Sequence, residues 1–162
     1  MENASYLESG QKVYVDGVLT TEVVIDDSVS SIKDNAFYGF KNMTKVVLSK
    51  RVEYIGAQSF ACSGITEVVI PDRCRTIAYN AFSTCEHLSH VTIGSSVTEI
   101  QSWAFSYNPY LTEVYCKPLV PPTMGWDVFL KSSNLAKIYV PRESVDTYKW
   151  KDGWKEYASL IH

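Results

Sequence analysis

A repeat of 22 to 24 residues runs through most of the chain and restricts the folds it can adopt. Aligning the chain on this repeat places aliphatic side chains in fixed columns. One column contains Val23, Val46, Val68, Val91, Val114 and Ile138. A second column, two residues later, contains Ile25, Leu48, Ile70, Ile93, Cys116 and Val140. Columns at one period are typical of repeat proteins, in which each unit buries its apolar face against its neighbours.

Each repeat also contains a phenylalanine that follows a small residue. These phenylalanines are Phe37, Phe60, Phe82, Phe105 and, in a less regular fifth repeat, Phe129. Earlier in the repeat, Val68, Val69 and Ile70 alternate between two faces, which predicts a short strand. Pro71 ends this strand because proline has no N–H to donate. The columns predict a β-rich repeat solenoid, a leucine-rich-repeat-like coil with a parallel sheet joined by short turns or helices.

We expect three parts within one structural domain. Residues 1–18 contain an Asp16-Gly17 pair, which favours a tight turn and predicts an N-terminal hairpin that caps the first coil. Residues 19–140 form about five repeats. Residues 141–162 form a short helical C-terminal cap.

Aromatic residues are concentrated in the predicted C-terminal cap. Pro141 ends the last strand, and Gly153 separates two segments that each predict a short helix. We expect the rings of Trp150 and Trp154 to lie over the last coil. A ligand platform is the alternative role for these two tryptophans.

The composition argues against several classes of partner. The chain has 15 Lys and Arg and 18 Asp and Glu, a net charge of −3, with the basic residues scattered singly. Nucleic acid is therefore not an expected partner. No segment approaches the roughly 20 apolar residues of a membrane helix, so membrane insertion is not expected. The first residues do not resemble a signal peptide, which leaves an intracellular protein and a processed secreted form both open.

The cysteines and histidines do not form a recognisable site. Cys62, Cys74, Cys85 and Cys116 lack the CxxC spacing and nearby histidine pairs of zinc sites. We interpret them as small buried thiols, with disulfides as the open alternative. The sequence has neither a GxSxG elbow nor a phosphate-binding glycine loop. We therefore expect no catalytic residues, no metal and no cofactor, and thus no enzyme.

Stacking the repeats would turn each strand position into a ladder of side chains about 4.8 Å apart. Two of these ladders point outward. The uncharged ladder consists of Val24, Val47, Val69, Thr92, Tyr115 and Tyr139. The charged ladder consists of Glu22, Lys45, Glu67, His90, Glu113 and Lys137.

Each ladder has a structural and a functional interpretation. Opposite charges on neighbouring strands stabilise a sheet by about 0.2–1 kcal/mol per pair, which accounts for the charged ladder without a ligand. β-Branched and aromatic residues suit exposed strands, but six uncharged positions in line also form a patch of the kind found at interfaces. Both interpretations of the uncharged ladder stay open. The candidate partner-binding residues are Val47, Val69, Thr92, Tyr115, Tyr139, Glu67, His90, Glu113 and Lys137.

Three segments resemble the BspA-type leucine-rich repeat family, and together the similarity covers roughly residues 19–162. The running repeat is carried by Ile65-Thr66-Glu67-Val68-Val69-Ile70-Pro71, then Ile77 and Asn80-Ala81-Phe82. Residues 111–125 are similar to the family's last repeat, and residues 138–157 to its C-terminal cap. The resemblance implies a right-handed solenoid on secreted or surface-attached microbial proteins, linked to adhesion and to binding of host or matrix components.

Two hypotheses for function follow. The first is a non-enzymatic module at a microbial cell surface that binds a protein or glycan ligand, such as a host or extracellular-matrix component, through the stacked strands. Tyr115 and Tyr139 are its best candidates, because paired tyrosines offer contact area at low entropic cost. The alternative is a structural spacer or stalk with no ligand of its own.

Overall fold

The computed structural model describes residues 13–15 and 18–162, and in this part of the chain short strands dominate. The strands are β1 (Val13–Val15), β2 (Val18–Thr20), β3 (Glu22–Val24), β4 (Ser31–Ile32), β5 (Lys45–Val47), β6 (Tyr54–Ile55), β7 (Glu67–Val69), β8 (Thr76–Ile77), β9 (His90–Ile93), β10 (Glu99–Ile100), β11 (Glu113–Cys116), β12 (Thr123–Met124) and β13 (Lys137–Tyr139). A helix α1 (Val145–Trp150) follows, flanked by the 3₁₀ segments Arg142–Ser144 and Lys155–Leu160.

The strands stack into two parallel sheets, which confirms the predicted parallel-sheet solenoid, here of about five turns. The six-stranded sheet has the order β13-β11-β9-β7-β5-β3, and the five-stranded sheet has the order β12-β10-β8-β6-β4. The register places Val23 opposite Val46, and Val114 opposite both Val91 and Ile138. The column that predicted the strands is therefore the inward face of the six-stranded sheet.

The core contains a continuous stack of phenylalanine rings. Successive ring centroids from Phe37 to Phe129 are 5.1, 5.1, 5.3 and 5.8 Å apart, and the ring planes lie within 16° of parallel. Phe60, Phe82 and Phe105 are completely buried. One ring from each coil thus packs on the next, as the sequence column predicted, at separations typical of favourable aromatic pairs.

An antiparallel strand pair lies in the segment for which the sequence predicts an N-terminal hairpin. β1 and β2 pair antiparallel, with Val13 opposite Thr20 and Val15 opposite Val18. The connecting pair Asp16-Gly17 lies outside the described residues. The role of the hairpin as a cap stays a prediction.

The C-terminal segment carries two aromatic side chains that the structure buries completely, Tyr148 and Trp154. Tyr148 Oη donates a hydrogen bond to the Pro118 carbonyl at 2.8 Å, and Trp154 Nε1 donates one to the Pro122 carbonyl, also at 2.8 Å. The prediction for Trp150 was wrong, because its side chain is 82% exposed. Trp150 lies two positions after the inward-facing Tyr148, and positions i and i+2 do not share a helix face.

Each coil turns sharply on both sides of its phenylalanine through residues with left-handed backbone. The non-glycine examples are Asn35, Gln58, Cys62, Asn80, Thr84, Trp103, Tyr107, Asp127 and Lys131, with φ between 55° and 60°. The Gln58 N–H donates to the Tyr79 carbonyl at 2.9 Å, and the Cys62 N–H to the Ser83 carbonyl at 3.0 Å. These bonds join one coil to the next. Sequence alone does not show these turns, since few of the positions carry the Gly, Asn or Asp that favour this conformation.

The cysteines in the structure are free thiols. Cys74, Cys85 and Cys116 are buried, as predicted, whereas Cys62 is only half-buried. Burial raises the pKa of Cys74 and of Cys85 to about 12, and it also raises the pKa of Cys116. These three thiols therefore stay protonated at pH 8.

Thiol labelling will test this arrangement. With a disulfide-exchange reagent at pH 8, we expect Cys62 to react under native conditions and the three buried thiols to react only when the protein unfolds, because the thiolate is the reactive form. Intact mass after native purification should show four free thiols. Four equally fast reactions, or a mass lower by a disulfide, would contradict the structure.

Ser59 occupies the small-residue column just before the phenylalanine, next to the Ala36 and Ala81 positions of neighbouring coils. It is completely buried, and among the described residues its Oγ has no hydrogen-bond partner. Burying an unpaired hydroxyl is unfavourable. We expect Ser59→Ala to raise the free energy of unfolding by about 1 kcal/mol in urea titration.

Ala81 offers the matched control for Ser59, because it lies in the same column and is equally buried. We expect Ala81→Ser to lower the free energy of unfolding by about 1–2 kcal/mol, since it buries a new hydroxyl. A destabilised Ser59→Ala protein would mean that the Ser59 hydroxyl has a partner after all.

Candidate partner-binding surface

The six-stranded sheet displays the uncharged ladder on its outer face. The register aligns Val24 with Val47, and it aligns Thr92 with both Val69 and Tyr115. Val24, Val47 and Val69 are exposed, while Thr92 is partly buried. The ladder therefore forms a line of uncharged side chains across the outer face of the stacked strands.

The ladder ends in a stacked pair of tyrosines. The rings of Tyr115 and Tyr139 lie 4.7 Å apart between centroids and 18° from parallel. Tyr115 is 40% exposed, so its ring meets both protein and solvent. Its Oη donates a hydrogen bond to Glu113 Oε2 at 2.8 Å, and this bond raises the pKa of Tyr115. The phenol thus stays protonated, and the hydrogen bond and the stacking contact orient its ring before any ligand binds.

The charged ladder lies beside the tyrosine pair and is partly neutralised within the sheet. Lys45 Nζ lies 2.9 Å from Glu22 Oε1, and His90 Nε2 lies 3.7 Å from Glu113 Oε2. An exposed ion pair such as Lys45–Glu22 stabilises a protein by about 0–1 kcal/mol. The contacts agree with the structural interpretation of this ladder.

The predicted site residues separate into two groups. Glu113 contacts both His90 and Tyr115. Lys137 Nζ lies 5.9 Å from the centroid of the Tyr139 ring. These residues belong to the C-terminal half of the face. Val47, Val69 and Glu67 lie on strands β5 and β7, on the same face but away from the tyrosines. The chain thus concentrates aromatic and polar contacts at one end of the sheet.

Sequence reasoning missed a trough between the last coil and the C-terminal cap. It consists of two adjoining cavities of about 350 and 450 Å³ that share Met124 and Gly125 as lining residues. Trp126 lines the larger cavity and is 81% exposed. One signal could have indicated it, because Trp126 lies outside every aromatic column in the least regular repeat.

Two further findings concern the described residues only. Within that part of the chain, no three His, Cys, Asp or Glu side chains are grouped closely enough to hold a metal ion. In the same residues, no helix has both the length and the apolar composition needed to cross a membrane.

The sequence of this chain matches a family of leucine-rich repeat proteins, in agreement with its coiled architecture. The family described as "BspA type Leucine rich repeat region" matches residues 10–136 in six copies. The chain belongs to the BspA-type leucine-rich repeat family. No curated protein matches this BspA-type chain significantly.

Solved structures of other repeat proteins resemble this BspA-type solenoid. A "leucine rich cell surface protein" from Faecalibacterium prausnitzii A2-165 has a TM-score of 0.68 and 20% identity, over 78% of this chain and 34% of its own. A "leucine-rich repeat protein" from Bacteroides ovatus ATCC 8483 has a TM-score of 0.39 and 15% identity, over 72% of this chain and 48% of its own. The BspA-type chain thus matches about a third and about half of these two proteins. The first similarity supports the same fold.

Proposed function

We propose that this protein is a non-enzymatic binding module that recognises a protein ligand through the outer face of its six-stranded sheet. The observation that carries the proposal is the stacked tyrosine pair at the end of the uncharged ladder, in which Tyr115 is exposed and hydrogen-bonded to Glu113 and Tyr139 is half-buried. Tyrosines held in one orientation lose little conformational entropy when a partner covers them. A packed core needs no stacked aromatic pair on its solvent-facing side.

We further propose that the module works at a microbial cell surface, in adhesion to a host or extracellular-matrix component. Membership of the BspA-type family supports a surface repeat protein. The Faecalibacterium protein of similar fold is itself described as a cell surface protein. A glycan is the alternative ligand class for the same face.

A pull-down with matched variants tests this function. The immobilised wild-type protein, a Tyr115→Ser, Tyr139→Ser variant and a Leu119→Ser, Val120→Ser control are exposed to serum, matrix and cell-surface extracts. Leu119 and Val120 are exposed apolar residues that lie outside the strands of the sheet. Serine is suitable because it removes the rings without adding negative charge beside Glu113. We expect a protein partner that the wild type and the Leu119, Val120 control retain and the tyrosine variant loses. Treating the extracts with a protease or with glycosidases then separates protein from glycan ligands.

The spacer hypothesis is the competing outcome of the same experiment. It is favoured by the ion pair Lys45–Glu22 and by the contact between His90 and Glu113, both of which form within the sheet itself. Equal retention by all three folded proteins, or no retention, would make the tyrosine pair a structural feature. A tyrosine variant that melts at a much lower temperature than the Leu119, Val120 control would show that the two rings act in packing.

A further inference from the structure

The trough between the last coil and the C-terminal cap is formed by different residues from those of the sheet face. Met124 and Gly125 join its two cavities, one on the β10–β12 side and one against the C-terminal cap. Gly125 permits the close approach of two coils, because a Cβ atom there would lie 2.3 Å from the Ser102 backbone nitrogen. The cavity against the cap has a volume of about 450 Å³ and is open to solvent.

The charges that line the trough all have one sign. Its lining residues include the carboxylates of Glu99, Asp127, Asp152 and Glu156, and among the described residues no Lys, Arg or His lines it. The whole chain, by contrast, is nearly balanced, with 18 acidic and 15 basic residues. A concave surface with this lining attracts cations and repels anions.

Internal contacts neutralise only part of this charge. Asp152 forms an ion pair with Lys155, Nζ to Oδ1 at 2.7 Å, and Lys155 is not a lining residue. Asp127 Oδ2 accepts a hydrogen bond from Trp103 Nε1 at 3.3 Å, which leaves its charge in place. Within the described residues Glu156 forms no ion pair. Asp127 and Glu156 therefore place negative charge on two walls of the larger cavity, and the charge of Glu156 contributes to raising the pKa of Lys155.

Two aromatic rings complete the larger cavity. The Trp126 side chain is exposed to solvent, while its backbone N–H is held by Ser102 Oγ at 3.0 Å. Tyr157 is half-buried and packs edge-on against Phe129, with 5.3 Å between ring centroids. Burial raises the pKa of Tyr157, and the nearby charges of Glu156 and Asp127 raise it further. An indole face beside carboxylates suits a planar cation, because the ring attracts it and the carboxylates accept its hydrogen bonds.

We propose that the trough binds an arginine side chain of a basic polypeptide segment, with the guanidinium stacked on Trp126 and paired with Asp127 and Glu156. Arginine fits better than lysine because its planar group can stack and donate two parallel hydrogen bonds at once. This second site is independent of the proposed sheet-face function. The partner is defined by its charge and shape, namely an extended segment rich in arginine.

Calorimetric titration with a hexa-arginine peptide tests the proposal, using hexa-glutamate and maltohexaose as comparison ligands. Trp126→Ala is compared with Trp150→Ala, because both tryptophans are exposed to the same degree and Trp150 does not line the trough. Glu156→Gln is compared with Glu86→Gln, an exposed carboxylate on the loop after Phe82. The Tyr115→Ser, Tyr139→Ser variant is titrated as well, so that the two sites are tested separately.

We expect hexa-arginine to bind the wild-type protein and hexa-glutamate not to bind. The Kd should rise about fivefold or more in Trp126→Ala and about threefold in Glu156→Gln. It should stay unchanged in the Trp150, Glu86 and tyrosine variants. An equal loss in Trp126→Ala and Trp150→Ala, or no loss in either, would show non-specific attraction to an acidic protein and overturn the proposal. Preferential binding of maltohexaose would overturn it in favour of a glycan site.

Discussion

Replacing Phe82 by alanine will lower the free energy of unfolding by about 3–5 kcal/mol. Phe82 is completely buried in the middle of the aromatic stack, with rings on both sides at 5.1 and 5.3 Å. Its removal leaves a cavity and interrupts the stack, and each coil of a solenoid depends on contact with its neighbours. Urea titration followed by circular dichroism measures the change.

Phe37 is the matched control for Phe82. It lies at the N-terminal end of the same stack and is only half-buried, although it also contacts Phe40 at 6.0 Å. Phe37→Ala should therefore lower the free energy of unfolding by only about 1–2 kcal/mol, because less apolar surface is lost from the core. If Phe82→Ala costs no more than Phe37→Ala, the aromatic stack is not the central element of stability.

Replacing Asn108 by alanine will lower the free energy of unfolding by about 3 kcal/mol. Asn108 is completely buried, and its side chain connects its own coil to the preceding one. Its Oδ1 accepts a hydrogen bond from the Cys85 N–H at 2.8 Å, and its Nδ2 donates to the Phe82 carbonyl at 2.9 Å and the Phe105 carbonyl at 3.0 Å. Alanine would leave these buried backbone groups without that partner, and water could not easily replace it.

Asn134 provides the comparison for Asn108, since it also donates to a backbone carbonyl, that of Pro109 at 2.7 Å, but is exposed. Asn134→Ala should lower the free energy of unfolding by at most about 1 kcal/mol in the same titration, because water can replace the lost hydrogen-bond donor. Similar losses for the two variants would mean that the buried bonds of Asn108 contribute little.

The sequence predicted the solenoid because its strongest signal is a repeated column of inward-facing residues. Val68, Val91 and Val114 recur at one strand position, and Phe60 and Phe82 recur at one turn, so both columns could be assigned before any contact was known. In the structure these residues are the inward face of the six-stranded sheet and the aromatic stack. Repetition makes such a prediction reliable, because each coil must fit the next in the same way.

The same repetition predicted the side-chain ladders of the candidate site, but it did not predict the contacts between their side chains. The sequence placed Tyr115 and Tyr139 at one ladder position and Glu113 at another. Only the structure shows that the tyrosine rings stack and that Tyr115 donates to Glu113. These contacts depend on side-chain rotamers, which strand periodicity does not define.

The sequence by itself therefore determined the family, the stacked architecture and the side chains that point inward, because one period is repeated along the chain. Only the tertiary structure shows how the side chains beyond the last regular repeat are packed. It exposed Trp150, for which the sequence predicted packing on the last coil, and it placed Trp126 beside carboxylates from the last coil and the cap. The physical reason is that a repeat specifies its contacts with an identical neighbour, whereas the last coil packs against a different segment whose position arises only when the chain folds.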